Sequence, residues 1–498
     1  MLRHFNTAGP CNPVDHYMLP PERRLPEARD LIEQKAYFAV HGPRRVGKTT
    51  ALMDLAAALT REGRYASVLL SMEVGAPLEE DLGAAEEAIL GAWRVAAGAV
   101  LPEELLPPPW PMGAPGLRLH GALRAWVRAC PRPLVLFLDE VDSLPQRALR
   151  STIRQLREGQ RLRPGDFPWS LALVGLHDGR DHLRSITMRA FTEEDVVALY
   201  AQHTEATGQR FDPGAAAVTF EATRGQPWLV NALAYGVTWE LLPDRSRTIR
   251  APTIGLAKEL LIERLDAARG SLDERLRDPR VRSVIEPMIT GGPLPPLTPD
   301  DLRFVVDLGL VSEAKGGALD IANPIYEEII VRSLMKSIRA SFPRMIPTWL
   351  GEGDKMDLAK LLEAFIAFWF QYGEALLGSS PYEEAAPHLV LIAFLYRVVE
   401  GSGRVVRGFA LGSRRLDLCV EYRGVLLGIE VTTWRDADGP GEPTSDLEPL
   451  DQCLSRTKAT TGWLIRFDRR SERLPLSERL KAEILTSPHN HPITKIFL

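Results

Sequence analysis

Gly42-Pro43-Arg44-Arg45-Val46-Gly47-Lys48-Thr49 is the stretch of this 498-residue sequence that decides its fold. It fits the pattern G-x-x-x-x-G-K-[ST], in which the glycines let the backbone curl until successive N–H groups point at phosphate oxygens. An apolar run of strand length, Ala36 to His41, precedes it, and a helical pattern, Thr49 to Thr60, follows it. The start of that helix adds partial positive charge. We therefore predict a phosphate-binding loop between a strand and a helix.

The same pattern predicts the ligand and the residues that hold it. Lys48 would reach the β- and γ-phosphates of ATP, and the Thr49 hydroxyl would ligate Mg²⁺. ATP and Mg²⁺ are thus the expected cofactors. The predicted nucleotide-binding residues are Gly42, Pro43, Arg44, Arg45, Val46, Gly47, Lys48, Thr49 and Thr50, together with Asp139.

Asp139 and Glu140 close a second apolar strand pattern, Leu134 to Leu138. Because ligands lie at the carboxyl ends of parallel strands, Asp139 is expected beside the phosphate-binding loop, where it would share the Mg²⁺ ion. Glu140 would polarise an attacking water and, with Lys48, make the site catalytic. An acidic N-terminal region of the next helix is the alternative interpretation.

The order of apolar and helical segments predicts the architecture. Strands alternate with helices over residues 1–190, which indicates a parallel sheet covered on both faces. Residues 191–249 read as a helical lid, 250–335 as a winged helix, and 336–386 as a helical connector. Residues 387–498 read as an α/β unit built on a hairpin. The fold class is therefore α/β.

Composition limits the function further. Lys and Arg number 60 against 65 Asp and Glu, a net charge of −5, which excludes a polycationic chain that coats nucleic acid. The four cysteines are too widely spaced for a disulfide scaffold or a zinc site. Charges interrupt every apolar stretch before 18 residues, as in His388 to Arg397, so we predict no membrane span. A cytoplasmic location is the expectation.

The N-terminal two thirds resemble the AAA-like, STAND-type bacterial P-loop ATPases. The resemblance rests on Ala8 to Pro26, the phosphate-binding loop, LVLFLDEVDSL, LALVGLHDGRD, and Arg224 to Ala234. It implies that ATP serves as a switch or an assembly signal and that the chain forms a homo-oligomer. Asp178 and Arg180 follow the apolar strand pattern Leu171 to Leu176 and are candidate γ-phosphate sensors, and a solvated turn is the alternative interpretation. The segment His182 to Arg189 is shorter than the corresponding segment of those ATPases. This departure bears on the geometry of the two candidate sensors.

The C-terminal residues resemble a PD-(D/E)XK nuclease core, which implies a restriction-endonuclease-like domain. The resemblance assigns Asp417 and Glu430 to a divalent metal and Gln452 to an assisting, catalytic role. Thr432 stands where that family has a lysine, and a hydroxyl brings no charge to neutralise the developing anion. Lys458 is the candidate replacement. An active nuclease, a DNA-binding pseudo-nuclease and ordinary strand-end acids are all compatible with these residues.

These observations predict an ATP-hydrolysing switch whose nucleotide state controls a DNA-binding or DNA-cleaving C-terminal domain, in defence against foreign DNA or another DNA transaction. DNA would bind through the winged helix or the C-terminal domain. Two alternatives belong to other classes. One is a signalling or scaffold ATPase with a silent nuclease-like domain, and the other is a nucleotide-gated winged-helix regulator.

Overall fold

The computed structural model describes residues 3–78, 81–175, 183–267, 271–290, 294–313, 317–379, 385–400, 403–411, 414–436, 447–456, 459 and 461–498. Contacts divide the chain into two compact units. The first contains Met1–Ala268 and Leu297–Glu328, and the second contains Arg269–Pro296 and Ile329–Leu498. The sequence predicts five segments instead of two units, and that finer division stays a prediction.

A five-stranded parallel sheet forms the centre of the first unit, as predicted. Its strands are β1 (Tyr37–His41), β2 (Ala66–Ser71), β3 (Leu134–Asp139), β4 (Ser170–Val174) and β5 (Arg184–Thr187), in the spatial order β2-β3-β4-β1-β5. β3 and β4 are buried along their whole length, which is typical of a sheet covered on both faces. β5 was not predicted, because three of its four residues are exposed and show no apolar run.

Helices cover both faces of this sheet. They are α1 (Ala28–Glu33), α2 (Lys48–Arg61), α3 (Leu82–Val100), α4 (Arg118–Ala129) and α5 (Gln146–Gln160). Leu52, Leu55 and Leu59 of α2 pack on one face, because residues three to four apart share one side of a helix. Trp93 of α3 and Trp126 of α4 pack on the other face. The two cores hold β1 and β3 in fixed positions.

A helical region follows the sheet, again as the sequence predicts. It contains α6 (Glu193–Thr207), α7 (Pro213–Thr223) and α8 (Pro227–Tyr235), and α8 continues into a π-helical turn, Gly236–Leu241. The Thr192 side chain and Asp195 form a capping box at the start of α6. Phe5 and Tyr17 of the N-terminal segment pack into the core of this region. Trp239 lies in the π-helical turn and is exposed over 49% of its surface.

The segment predicted as a winged helix contains helices and one hairpin. The helices are α9 (Ala251–Ala267), α10 (Ser271–Arg277), α11 (Pro279–Thr290), α12 (Pro299–Asp307) and α13 (Pro324–Leu334). The hairpin pairs β6 (Val311–Glu313) with β7 (Leu319–Ile321). α12 and the hairpin belong to the first unit, whereas α10 and α11 belong to the second. The winged helix itself stays a prediction.

The second unit contains a six-stranded mixed sheet. Its strands are β8 (Gly403–Leu411), β9 (Arg414–Tyr422), β10 (Val425–Trp434), β11 (Gly462–Asp468), β12 (Lys481–Thr486) and β13 (Pro492–Phe497), in the order β12-β13-β11-β10-β9-β8. β8, β9 and β10 are antiparallel neighbours, and β11 is parallel to β10. The turn at Arg423 and Gly424 between β9 and β10 has a positive φ at both residues, as a type I′ hairpin turn requires.

The remaining helices of the second unit are α14 (Lys336–Ala340), α15 (Leu358–Phe368), α16 (Glu374–Ser379), α17 (Ala386–Val399), α18 (Leu447–Arg456) and α19 (Leu476–Arg479). Phe365 of α15 stacks on Trp463 of β11. α17 is buried along nearly all its length, which explains the apolar stretch at His388 to Arg397. Within the part of the chain that the structure describes, no helix combines the length and the apolar character that a bilayer crossing needs.

Candidate nucleotide site and C-terminal carboxylate site

The loop between β1 and α2 has a backbone that depends on its glycines. Gly47 has a φ of +85°, a left-handed conformation, and it is the residue at which α2 begins. A Cβ atom at Gly47 would lie 3.2 Å from Nη1 of Arg24, and one at Gly42 would lie 3.3 Å from the carbonyl oxygen of Met188. No side chain caps α2, so its first-turn N–H groups are placed to bind an anion.

Lys48 is folded back onto this loop. Its Nζ donates hydrogen bonds to the carbonyl oxygens of Gly42, at 2.5 Å, and Pro43, at 3.1 Å. Burial lowers the pKa of Lys48, and the nearby carboxylate of Asp139 opposes that effect. A phosphate group beside this ammonium would offer it a stronger, charged acceptor than a carbonyl oxygen.

Thr49 and Asp139 meet at the foot of the loop. The Thr49 hydroxyl donates a hydrogen bond of 2.6 Å to Oδ2 of Asp139, and the Glu140 N–H donates to Oδ1 at 3.0 Å. Asp139 is only 5% exposed, and burial raises its pKa. A buried carboxylate and a hydroxyl in contact are oxygen ligands of the kind that Mg²⁺ prefers. The residues present therefore fit the predicted ion.

Glu140 lies beside this pair but turns toward β2. Its Oε2 accepts a hydrogen bond of 2.9 Å from the Ser71 hydroxyl at the end of β2. Burial raises the pKa of Glu140, although the Ser71 bond opposes the shift. Glu140 has a positive φ of 57°, so the chain turns sharply after Asp139. Sequence reasoning missed Ser71, whose only signal was its position at a strand end.

The other predicted loop residues contact segments on both sides of the site. The Thr50 hydroxyl accepts a hydrogen bond of 3.0 Å from the Cys11 N–H of the N-terminal segment. The Arg45 guanidinium lies 4.4 Å from the ring centre of Trp228 at the start of α8. Trp228 in turn donates to the Thr7 carbonyl oxygen at 2.9 Å. The N-terminal segment and α8 therefore both contact the loop.

Arg44 joins the loop to α12. Its N–H donates a hydrogen bond of 3.0 Å to the carbonyl oxygen of Asp307, the last residue of α12. Gly309 follows at a φ of +75°, and a Cβ there would lie 3.4 Å from the Arg44 carbonyl oxygen. The backbone of this segment thus lies directly against the phosphate-binding loop.

Arg24 is a buried cation beneath the loop that sequence reasoning missed. It is 6% exposed, and it donates to the carbonyl oxygens of Val46 and of Arg189, the latter through Nη2 at 2.7 Å. Its guanidinium lies 4.9 Å from the ring centre of Phe191. Burial lowers its pKa to about 10. Arg24 therefore connects the loop to the segment that enters the lid.

We expect Arg24→Met to destabilise the first unit by about 3 kcal/mol, because two buried carbonyl oxygens would lose a charged donor. The neighbouring variant Arg23→Met is the control, since Arg23 is half-exposed and keeps water contact in its 3.2 Å ion pair with the buried Asp195. That pair should contribute less than about 1 kcal/mol. Urea denaturation followed by circular dichroism would compare them, and equal losses would contradict the assignment.

Three residues singled out in the sequence lie outside the described residues. They are the candidate sensors Asp178 and Arg180 and the replacement cation Lys458.

In the second unit, Asp417 lies on β9 and Glu430 on the neighbouring strand β10, one position beyond the last paired residues of the two strands. The backbone register runs as far as Leu418 opposite Ile429, and beyond it Oδ2 of Asp417 accepts the Val431 N–H at 2.8 Å. Oε2 of Glu430 is buried and has no hydrogen-bond partner among the residues that the structure describes. Burial, and then the charge of Asp417, raises the pKa of Glu430 to about 8. The structure thus brings these two predicted carboxylates together.

A divalent cation would satisfy this arrangement. It would give Oε2 of Glu430 a partner and would offset the repulsion between two carboxylates. Among the described residues, no group of three or more acidic, histidine or cysteine side chains is arranged as a metal site. Mg²⁺ commonly uses one or two protein carboxylates and completes its shell with water and phosphate oxygens. Asp417 and Glu430 therefore fit Mg²⁺ in the presence of a phosphate ligand.

The other residues near this pair lie on α18 and β10. Gln452 lies half-buried on α18. Thr432 lies two residues after Glu430, on the same face of β10, and its hydroxyl accepts a bond of 3.3 Å from Nε of Arg466. Trp434, at the end of β10, has the Arg470 guanidinium 3.4 Å from its ring centre.

Asp451, one residue before Gln452, is the centre of a polar cluster. It is fully buried and accepts hydrogen bonds from Nδ1 of His489 at 2.6 Å, Nδ1 of His491 at 2.9 Å, and the Ser487 hydroxyl. Burial alone would raise the pKa of Asp451, but these donors outweigh it and hold the pKa well below its usual range. The cluster joins α18 to the turn before β13, so the histidines have a structural role here.

We expect Asp451→Asn to weaken the attachment of β13 by about 3 kcal/mol at neutral pH, because the buried donors would lose a charged acceptor. Hydrogen exchange of the amides of residues 493–497 should accelerate about 100-fold. The unfolded state binds more protons than the folded state below about pH 4, so the difference between wild type and variant should shrink as pH falls through that range. Glu483→Gln on the exposed strand β12 is the control, and equal acceleration there would contradict the role.

Comparisons with known proteins give likenesses of fold only. Neither a protein-family model nor a curated protein matches the chain. Among solved structures, a Walker-type ATPase of Pyrococcus abyssi is similar at 14% identity and a TM-score of 0.45, covering 66% of this chain and 99% of that chain. The RuvB Holliday junction branch migration motor of Thermotoga maritima has 14% identity, a TM-score of 0.34, and coverage of 62% and 93%. Cdc6p of Pyrobaculum aerophilum has 13% identity, a TM-score of 0.35, and coverage of 63% and 90%.

Proposed function

We propose that this chain binds and hydrolyses ATP with Mg²⁺ at the loop Gly42 to Thr49, and that its nucleotide state controls a C-terminal domain that binds or cleaves DNA. The observation that supports the first part is the 2.6 Å contact between the Thr49 hydroxyl and Asp139, next to a Lys48 whose ammonium lies on the same loop. Two separate segments, each at the carboxyl end of a parallel strand, supply these groups.

Each residue has a stated role in the proposed reaction. The N–H groups at the start of α2 bind phosphate oxygens, and Lys48 donates to the β- and γ-phosphates. Thr49 and Asp139 hold Mg²⁺, which would neutralise charge on the phosphate oxygens. Glu140, released from Ser71, orients the water that attacks the γ-phosphate. The chain's own groups thus account for both binding and hydrolysis.

Two backbone contacts support control by the nucleotide. The Arg44 N–H bond to Asp307 connects the loop to α12, and the Cys11 N–H bond to Thr50 connects it to the N-terminal segment. A ligand that shifts the loop would change both contacts, which is how binding at one site can alter another part of a chain. A homo-oligomer and a role in defence against foreign DNA belong to the same proposal.

The carboxylate pair supports the second part of the proposal. Asp417 and Glu430 would hold Mg²⁺ or Mn²⁺ against a DNA phosphate, and the orphaned Oε2 of Glu430 is the group that most needs such an ion. DNA binding through the predicted winged helix or through this domain remains part of the proposal.

Glu140→Gln tests hydrolysis separately from binding. We expect calorimetry with ATP and Mg²⁺ to give an affinity within about threefold of wild type, because the amide keeps the size and the Ser71 contact of the side chain. Phosphate release should fall at least about 100-fold, because the amide cannot orient the water as a carboxylate does. Glu158→Gln, on the exposed side of α5, is the control. Unchanged release from Glu140→Gln would remove the hydrolytic role of Glu140.

A further inference from the structure

A buried arginine lies where the C-terminal site lacks a cation. Arg466 is 2% exposed, and its Cα pairs directly with that of Thr432 across β10 and β11. Paired residues in a sheet point to the same face, so Arg466, Thr432 and Glu430 share one face. α18 covers part of this face, since Leu450 packs against Leu464, the residue paired with Glu430.

The hydrogen bond between Arg466 and Thr432 has a direction. Nε of Arg466 donates and Oγ1 of Thr432 accepts, at 3.3 Å. A hydroxyl that accepts a bond from a cation is left with its own proton to donate elsewhere. Donors in such a chain polarise one another, and a charged first donor strengthens the second. The Thr432 hydroxyl is therefore a stronger donor than a threonine alone.

We infer that Arg466 and Thr432 together supply the cationic hydrogen-bond donor of the C-terminal site, with the Thr432 hydroxyl binding a non-bridging phosphate oxygen of DNA and Arg466 acting as the positioning residue behind it. This inference rests on the proposed action of the domain on DNA. It involves hydrogen bonds only, so no covalent bond forms or breaks in it.

The position of Arg466 fits a contact with Thr432 rather than with Glu430. The pKa of Glu430 is raised by burial and by the charge of Asp417. The guanidinium instead lies 6.0 Å from the ring centre of Phe497, toward β13, on the side of Thr432 away from β9. Its bond to Thr432 is the contact through which we infer that it acts on a ligand.

The test measures the affinity of the full chain for a short fluorescein-labelled DNA duplex by anisotropy, in Ca²⁺, with a gel to verify that the duplex stays intact. Arg466→Met keeps the volume of the side chain and removes its charge, and we expect binding to weaken about 10-fold. Thr432→Val should weaken it by a similar factor, whereas Thr432→Ser keeps the hydroxyl and should bind as wild type does.

Two further variants test whether Arg466 acts on DNA through the Thr432 hydroxyl or only stabilises the sheet. The double variant Thr432→Val/Arg466→Met should bind no more weakly than either single variant, because residues that act in series are not additive. The double variant Thr432→Lys/Arg466→Met places the charge on β10 itself and should restore affinity to within about threefold of wild type. A structural defect at Arg466 would not be rescued by this lysine.

The outcomes distinguish the inference from the function it rests on. Wild-type affinity in Arg466→Met, or additive losses in the Val/Met double variant, would overturn the inference and leave DNA binding intact. A wild-type chain that binds no duplex would overturn both. Thermal unfolding of each variant checks that the sheet is formed.

Discussion

Lys48→Ala is expected to abolish phosphate release from ATP, with a fall of at least about 100-fold in the rate. In the proposed site the Lys48 ammonium would neutralise phosphate charge, and alanine leaves the loop backbone with no cation at that position. ATP affinity should fall about 10-fold at the same time, because a charged hydrogen-bond donor is lost in the ground state as well. A malachite-green assay gives the rate, and calorimetry with ATP and Mg²⁺ gives the affinity.

The matched control is Lys258→Ala on α9, a lysine of the same unit whose Nζ lies 3.7 Å from the carboxylate of Glu259 at the surface. It should release phosphate at the wild-type rate. Equal release from wild type and Lys48→Ala would remove the ATPase proposal altogether, whatever the C-terminal domain does.

Asp417→Ala is expected to abolish metal-dependent nicking of plasmid DNA, again by at least about 100-fold. The change removes one of two carboxylates, and it also frees the Val431 N–H that Oδ2 of Asp417 accepts at 2.8 Å. Glu430→Gln should reduce nicking to the same extent, because an amide replaces the carboxylate that would bind the ion. It leaves the bond between the Val431 N–H and Asp417 in place. Agreement between the two variants would assign the loss to metal binding.

Glu421→Gln is the control on the same strand, since Glu421 forms a surface ion pair of 2.7 Å with Arg404. It should nick plasmid as wild type does with Mg²⁺ or Mn²⁺. Intact plasmid with every protein, wild type included, would favour the alternative of a scaffold ATPase with a silent nuclease-like domain. Nicking that persists in both Asp417→Ala and Glu430→Gln would place the reaction elsewhere in the chain.

Local patterns in the sequence were enough for most of the fold. Each buried strand of the first sheet is a short apolar run, and each covering helix repeats its apolar residues every three to four positions. The strands that escaped prediction, β5, β12 and β13, behave differently. β5 and β12 are mostly exposed sheet edges, so neither a buried run nor an alternation marks them. β13 is buried, but its sequence has no strand pattern of its own, and its pairing with β11 and β12 identifies it.

The placement of the loop Gly42 to Gly47 between a strand and a helix was predictable for the same reason. Its proposed chemistry depends on consecutive residues, so the spacing of Gly42, Gly47 and Lys48 already describes it. The meeting of Thr49 with Asp139 followed from one general rule about the carboxyl ends of parallel strands.

Only the tertiary structure decided which distant groups complete the two sites. Arg24 beneath the loop, Ser71 beside Glu140 and Arg466 behind Thr432 are ordinary residues in the sequence, separated from their partners by 22, 69 and 34 positions. Their roles depend on which strands become neighbours and which side chains are buried. Those properties arise from packing over the whole sheet, and no local spacing of residues encodes them.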